Sequence, residues 1–226
     1  MPAKIGVVRF PGTNCEFDTV EAVTALGATG EILWHGDTSL GQVDAVVIAG
    51  GFAHGDYLRP GAIARFSPIM DAVVAAAHEG MPVVGICNGF QVLTEAGLLP
   101  GALQKNAGLK FINDWQMLRV ETTNSSLTSA AEVGQELNIP INHFEGNYTC
   151  SPETLAELQA NDQIVLTYVG NPNGSVGDIA GVCNAGRNVV GLMPHPERAS
   201  HELLGSSDGN VLMQSILDSV AVAAQG

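Results

Sequence analysis

Three short stretches in the first half of the chain are apolar almost without a break, within Lys4–Phe10 (KIGVVRF), Asp44–Ala49 (DAVVIA) and Pro82–Ile86 (PVVGI). Runs of this length and β-branched content fit strands buried on both faces, and such strands need helices packed above and below them. The intervening sequence supplies those helices. Phe17, Val20, Val23 and Leu26 recur at helical spacing until Gly27 stops them. Pro68–Glu79 has proline in its first turn and Gly80 behind it, and a further helix runs from Cys87 through Ala96 to Gly97. With a short strand at Glu31–Trp34, the pattern alternates strand and helix, which predicts an open, mostly parallel, doubly wound α/β sheet.

The second half is less regular. Strands are expected at Leu118–Glu121, Leu137–Ile141 and Ile164–Val169, a helix at Pro152–Ala160, and a hairpin of Ile179–Cys183 and Val189–Met193 around Asn184–Asn188. A last helix covers Gly209 to Ala224. No internal repeat or low-complexity linker divides the chain, so residues 1–226 are read as a single domain.

Charge removes several classes of partner. The formal net charge is −14, with no run of Lys or Arg to offset it locally, so nucleic acid and anionic membranes would repel the chain. The start, Met1-Pro2-Ala3-Lys4, lacks a signal-peptide layout, and no apolar window is long enough for a membrane helix, so a cytoplasmic protein is expected. The four cysteines (Cys15, Cys87, Cys150 and Cys183) are widely spaced and include no C-x-x-C pair, which argues for free thiols rather than a metal site.

One of these thiols stands in a special place. Gly85-Ile86-Cys87-Asn88-Gly89 reads G-x-C-x-G between a buried strand and a helix, the layout of a nucleophile elbow with sulfur in place of oxygen. The glycines remove side chains that would collide in the tight turn, and the turn presents the thiol at the carboxyl edge of the sheet. The helix N-terminus favours its thiolate. A structural cysteine in a tight turn is the bland alternative.

A thiol nucleophile needs a base held by a carboxylate. His195 follows the strand ending at Met193, within Pro194-His195-Pro196-Glu197-Arg198. Pro196 favours an extended backbone before it, which would put His195 and Glu197 on one face and form a Cys–His–Glu triad with members on separate sheet edges. His143-Phe144-Glu145 offers the same spacing in a polar loop and is a rival. His35, His54, His78 and His201 read as solvated or loop residues. Gly50-Gly51-Phe52 follows a buried strand and should reach the edge that carries Cys87, where its backbone N–H groups and that of Asn88 could stabilise an oxyanion.

Cys87-Asn88-Gly89-Phe90-Gln91 resembles the C-x-G-x-Q signature of the class I (triad) glutamine amidotransferases, and Pro194-His195-Pro196-Glu197 resembles their His-x-Glu element. Longer strings resemble one branch of that family, the PurQ-type glutaminase subunits of phosphoribosylformylglycinamidine synthase. They include Phe10–Cys15, Gly50–Phe52, Gly55–Arg59, Gly61–Arg65, Cys87–Gly101, Gly146–Tyr148, Asn171–Ser175 and Met193–Arg198, and they span nearly the whole chain. The resemblance implies a flavodoxin-like fold. It implies that Cys87 attacks the glutamine carboxamide, that His195 shuttles the proton, that Glu197 orients His195, and that Gln91 helps to hold the glutamyl group. It also implies partners: a PurL-type synthetase subunit, which uses ATP and magnesium, and a small PurS-type subunit. The chain itself carries no phosphate loop or dinucleotide fingerprint, so no cofactor is expected in it.

Three local departures stand out: Ala53-His54 in the Gly-Gly-Phe loop, Phe144 between His143 and Glu145, and Asn113-Asp114-Trp115. Cys15 lies in a matching string without a chemical role. The competing readings are a PfpI-type cysteine hydrolase on the same fold, an amidotransferase serving another synthase, and a binding module that has lost its chemistry. Asn88 stands where the PfpI-type group carries histidine.

Overall fold

The computed structural model describes residues 2–223. Its elements in chain order are β1 (Lys4–Arg9), α1 (Glu16–Ala25), β2 (Thr29–Trp34), β3 (Ala45–Ile48), α2 (Pro68–His78), β4 (Val83–Ile86), α3 (Asn88–Glu95), β5 (Ala102–Gln104), β6 (Ile112–Val120), β7 (Glu136–His143), β8 (Asn147–Thr149), α4 (Pro152–Ala160), β9 (Ile164–Tyr168), β10 (Ile179–Cys183), β11 (Val189–Leu192) and α5 (Gly209–Ala223). The expected end of the last helix at Ala224 lies outside the described residues.

Nine strands form one sheet in the order β2-β1-β3-β4-β11-β10-β9-β6-β7. The first five of these run parallel, and the remaining ladders are antiparallel. The sheet is therefore a parallel α/β body with an antiparallel extension. The continuous apolar runs occupy the parallel part, where Ile5, Val7, Val8, Ala45–Ile48, Val83, Val84 and Ile86 are wholly buried. The chain moves outward from β1 to β2, then returns past β1 and proceeds from β3 to β4 in the other direction. Right-handed crossovers place the helices of these two excursions on opposite faces. Accordingly α1 packs with α5, while α3 covers β3, β4 and β11. The reversal between β1 and β3 is the topological switch point, where open α/β sheets bind ligands outside the carboxyl ends of their strands.

The second half holds the differences from sequence expectation. β6 begins at Ile112, six residues before the apolar Leu118, and pairs along its length with β7. Its first part reads as polar because it faces solvent: Asn113, Asp114 and Trp115 are exposed, and Leu118 is the first residue of the strand to be fully buried. The small β5–β8 ladder lies apart from the main sheet and has too few apolar residues to stand out in the sequence.

Candidate active site

Cys87 terminates β4 in a strained turn, with φ 52° and ψ −104°. A non-glycine residue with positive φ at this point is the geometry of a nucleophile elbow. The neighbouring glycines are sterically required. A Cβ on Gly89 would lie 2.0 Å from the Ile48 carbonyl oxygen, and one on Gly85 would lie 2.5 Å from the backbone of Gly89. The α3 helix is thereby pressed against β3 and β4, and Cys87 sits at its N-cap. The N–H of Cys87 bonds the Leu192 carbonyl at 2.8 Å, tying the elbow to the end of β11.

That bond brings His195 within range. Because β4 and β11 are adjacent and parallel, residues following Ile86 and Leu192 emerge at the same edge of the sheet. The separate edges expected for the triad members are thus a single edge, a consequence of strand order that spacing along the chain does not reveal. Glu197 also arrives differently from expectation. Pro196–Arg198 form a 3-10 turn after His195 (φ −107°, ψ 85°), and this turn, rather than an extended segment, swings the carboxylate back. Oε1 of Glu197 lies 2.6 Å from Nδ1 of His195, and both residues are almost wholly buried. The carboxylate accepts from Nδ1–H, so the lone pair of the neutral ring sits on Nε2. Nε2 is buried without a partner among the described residues. Burial alone would pull the imidazole down, but the Glu197 carboxylate and the thiols of Cys87 and Cys15 outweigh it and hold His195 well above the ordinary histidine value. Such an imidazole holds a proton taken from a thiol.

The loop after β3 completes the arrangement. The Gly50 carbonyl accepts from the N–H groups of Asn14 (3.2 Å) and Cys15 (3.1 Å), and the N–H of Phe52 is taken by the Gly12 carbonyl at 2.9 Å. A planar trans peptide points its N–H opposite its carbonyl, so the N–H of Gly51 faces away from that loop. With Phe52 committed, the donors on this edge without a partner among the described residues include Gly51 N–H and the first-turn N–H of Asn88. A Cβ on Gly50 would lie 2.8 Å from His195 Cε1 and 3.5 Å from Cys87 Cβ, so the bare glycine leaves open the space between the imidazole and the cysteine.

The side chains of Asn88 and Gln91 bind neighbouring protein. Asn88 accepts from the N–H of Ala53 at 3.0 Å and donates to Gln91 Oε1 at 2.8 Å, while Gln91 Nε2 donates to the Glu145 carbonyl at 2.6 Å. The two residues link the Gly50–Phe52 loop, α3 and the 143–147 loop into one frame.

His143, the rival base, belongs to that frame. Asn106 Nδ2 donates to the carbonyls of Lys110 and His143, which turns Asn106 Oδ1 toward His143 Nδ1 at 3.1 Å and makes that nitrogen the donor. Asn106 Oδ1 also accepts from Gly146 N–H, and a Cβ on Gly146 would overlap the ring. Burial, helped by the charge of His195, holds His143 down to about 4. An unfolded histidine titrates near ~6.5, so as pH falls the unfolded chain takes the proton first. The stability contributed by neutral His143 is complete above about pH 6.5 and is lost toward about pH 4. Urea unfolding at pH 7 and pH 5 should show a lower midpoint at pH 5, and the His143→Gln variant should show a smaller decline. Equal declines in both proteins would contradict the assignment.

One residue close to this site escaped sequence reasoning. The sulfur of Cys15, a nitrogen of His195 and a carboxylate oxygen of Glu197 all lie within 4.8 Å of one another. The sequence signals were the place of Cys15 in the matching string Phe10–Cys15, to which no role was attached, and its position in the loop after β1, at the switch point. Behind Glu197 a cavity of about 700 Å³ is lined by Asp18, Trp115, Arg198 and Leu204 among others.

The family model described as CobB/CobQ-like glutamine amidotransferase domain matches residues 2–210. The chain belongs to that family. Among amidotransferase relatives, it is 55% identical over 214 residues to the phosphoribosylformylglycinamidine synthase subunit PurQ of Rubrobacter xylanophilus, covering 95% of this chain and 97% of that one. It is 54% identical over 225 residues to the subunit of the same name from Rhodococcus jostii, covering 99% and 100%. A chain in the structure of PurLQS from Thermotoga maritima superposes with a TM-score of 0.90 at 42% identity, over 96% of this chain and 99% of that one. A GMP synthase-like protein of Thermoplasma acidophilum shares the fold, with a TM-score of 0.70 at 16% identity, over 100% of this chain and 97% of that one.

Proposed function

We propose that this chain is the glutaminase subunit of a phosphoribosylformylglycinamidine synthase: it hydrolyses glutamine to glutamate and ammonia and passes the ammonia to a PurL-type synthetase subunit. The observation that carries this reading is the buried His195–Glu197 pair at the sheet edge shared with the Cys87 elbow, in a chain whose near-full-length relatives bear that name. Residues 1–226 are read as a single amidotransferase domain in the cytoplasm. Among the described residues no helix is long and apolar enough to cross a membrane.

In this mechanism His195 Nε2 takes the proton of the Cys87 thiol, and the sulfur attacks the carboxamide carbon of glutamine. The N–H groups of Gly51 and Asn88 receive the developing oxyanion. The imidazolium returns its proton to the leaving nitrogen, ammonia departs, and a glutamyl thioester remains on Cys87. His195 then activates water, which releases glutamate and restores the thiol. Glu197 keeps Nδ1–H bonded throughout, so Nε2 is always the working nitrogen. Gln91 and Asn88 hold the walls against which the glutamyl group lies. None of these steps needs a cofactor in this chain; ATP and magnesium belong to the synthetase. The exposed Tyr57 and Leu58, in the Gly55–Arg59 loop, are the apolar side chains offered to the partner beside the site.

The test is glutamate release from glutamine by the purified chain, alone and with PurL-type and PurS-type subunits, combined with alkylation by a glutamine-analogue chloroketone. Label confined to Cys87 and turnover stimulated by the partners are expected. Turnover with an unlabelled Cys87 would refute the proposed chemistry, and absence of glutamine turnover in the full complex would refute the function.

A further inference from the structure

Cys15 is buried, lies beside the reacting groups and takes no part in the steps above. Two independent sets of contacts fix it. Its backbone N–H bonds the Gly50 carbonyl, the group whose orientation sets the direction of Gly51 N–H, and its own carbonyl accepts from Thr19 Oγ1 at 2.9 Å in the first turn of α1. Its sulfur accepts from Nη2 of Arg198 at 3.2 Å, and Arg198 is held in turn by Asp18 at 3.1 Å. Arg198 is the last residue of the 3-10 turn that delivers Glu197. The sulfur therefore links the loop after β1 to the turn after β11 at the point where both meet the imidazole. A Cβ on Gly50 would touch the Cys15 sulfur at 3.2 Å as well as His195 Cε1 at 2.8 Å, so sulfur and ring border the same small space.

We propose that Cys15 is a positioning residue for the glutaminase reaction: its sulfur, anchored by Arg198, walls the His195 imidazole and keeps Nε2 turned toward Cys87, while its main chain aims the oxyanion donor. The physical requirement is a side chain that fills the space without carrying charge. A smaller side chain leaves the ring free to rock about its bond to Glu197, and a charged one would compete with Glu197 for it. Burial raises the Cys15 thiol despite the opposing effects of His195 and Arg198, which keeps it a neutral thiol. The inference rests on the glutaminase reading above.

The experiment uses the chain assembled with its synthetase subunits and compares wild type, Cys15→Ala, Cys15→Ser and Arg198→Gln. Glutamine-dependent turnover in Cys15→Ala should fall about 10- to 100-fold through kcat, with KM nearly constant, as expected for a reacting group displaced by a fraction of an ångström. A loosened imidazole stabilises the thiolate less, so the acid limb of the kcat/KM profile should move upward by about half a pH unit or more. Cys15→Ser keeps an acceptor for Arg198 and should recover much of the rate, and Arg198→Gln should shift the limb in the same direction as Cys15→Ala. Ammonia-dependent synthesis should be unchanged in every variant, which reports intact assembly. An unmoved limb with unchanged kcat, or equal losses in the alanine and serine variants without a shift, would overturn the proposal. If Cys15→Ala does not assemble, an unmoved limb in both Cys15→Ser and Arg198→Gln overturns it equally. Wild-type complex inactive on glutamine would instead refute the functional reading on which the proposal rests.

Discussion

Replacing Cys87 with alanine is expected to abolish glutamine-dependent amidine synthesis by the assembled synthase and to leave synthesis from added ammonia intact. The expected loss in the glutamine reaction is at least ~10⁴-fold, because the other thiol at this edge, Cys15, is buried and held by Arg198, and deletion of a nucleophile removes a whole pathway. The retained ammonia reaction follows from the geometry. Alanine can occupy the strained turn about as well as cysteine, since the backbone there is held by the bond from Cys87 N–H to the Leu192 carbonyl and by the close contact of Gly89 with Ile48. Cys87 has a weak side-chain contact, with its sulfur 3.8 Å from the Asn142 carbonyl. Parallel assays with glutamine and with ammonium chloride test this directly. Loss of both activities would mark Cys87 as a structural residue.

The second large effect separates the two histidines. His195→Asn should lower glutamine-dependent kcat by about 10³-fold or more, because asparagine cannot take the thiol proton. His143→Asn should cost less than about tenfold, through disturbance of the frame that holds the 143–147 loop. The reasoning is one of proton placement. His195 presents a buried Nε2 without a partner among the described residues, and Glu197 holds it above the usual histidine value. His143 donates its Nδ1–H to Asn106, is covered by Gly146 and is held down to about 4. Steady-state kinetics of both variants in the assembled synthase decides the matter; a larger loss in His143→Asn would transfer the base role to the rival pair.

These two experiments follow the boundary between local and non-local information. The elbow was legible in the sequence because its requirements are local: a β-branched run before it, glycines on either side and an amphipathic helix after it all act within a dozen residues. The parallel strands were legible for the same reason, since burial on both faces demands apolar residues at every position. The first part of β6 was not, because a solvent-facing edge segment carries polar residues that look like a loop. Nor could spacing choose between His143-x-Glu145 and His195-x-Glu197, which differ in what surrounds them rather than in their own pattern.

By itself, then, the sequence determined a buried parallel sheet, a cysteine placed at the sharp turn after one of its strands, and two histidine–carboxylate pairs able to serve that cysteine. Only the tertiary structure decided which pair sits, with its carboxylate bonded to the ring, at the sheet edge of that cysteine. That choice depends on β11 inserting beside β4, more than a hundred residues away along the chain, and on a 3-10 turn returning Glu197 to the ring. The same packing brought Cys15 and Arg198 together behind the imidazole. Side-chain identity records the solvent exposure and backbone conformation of each position, but distances between remote residues arise only when the strands settle into one order.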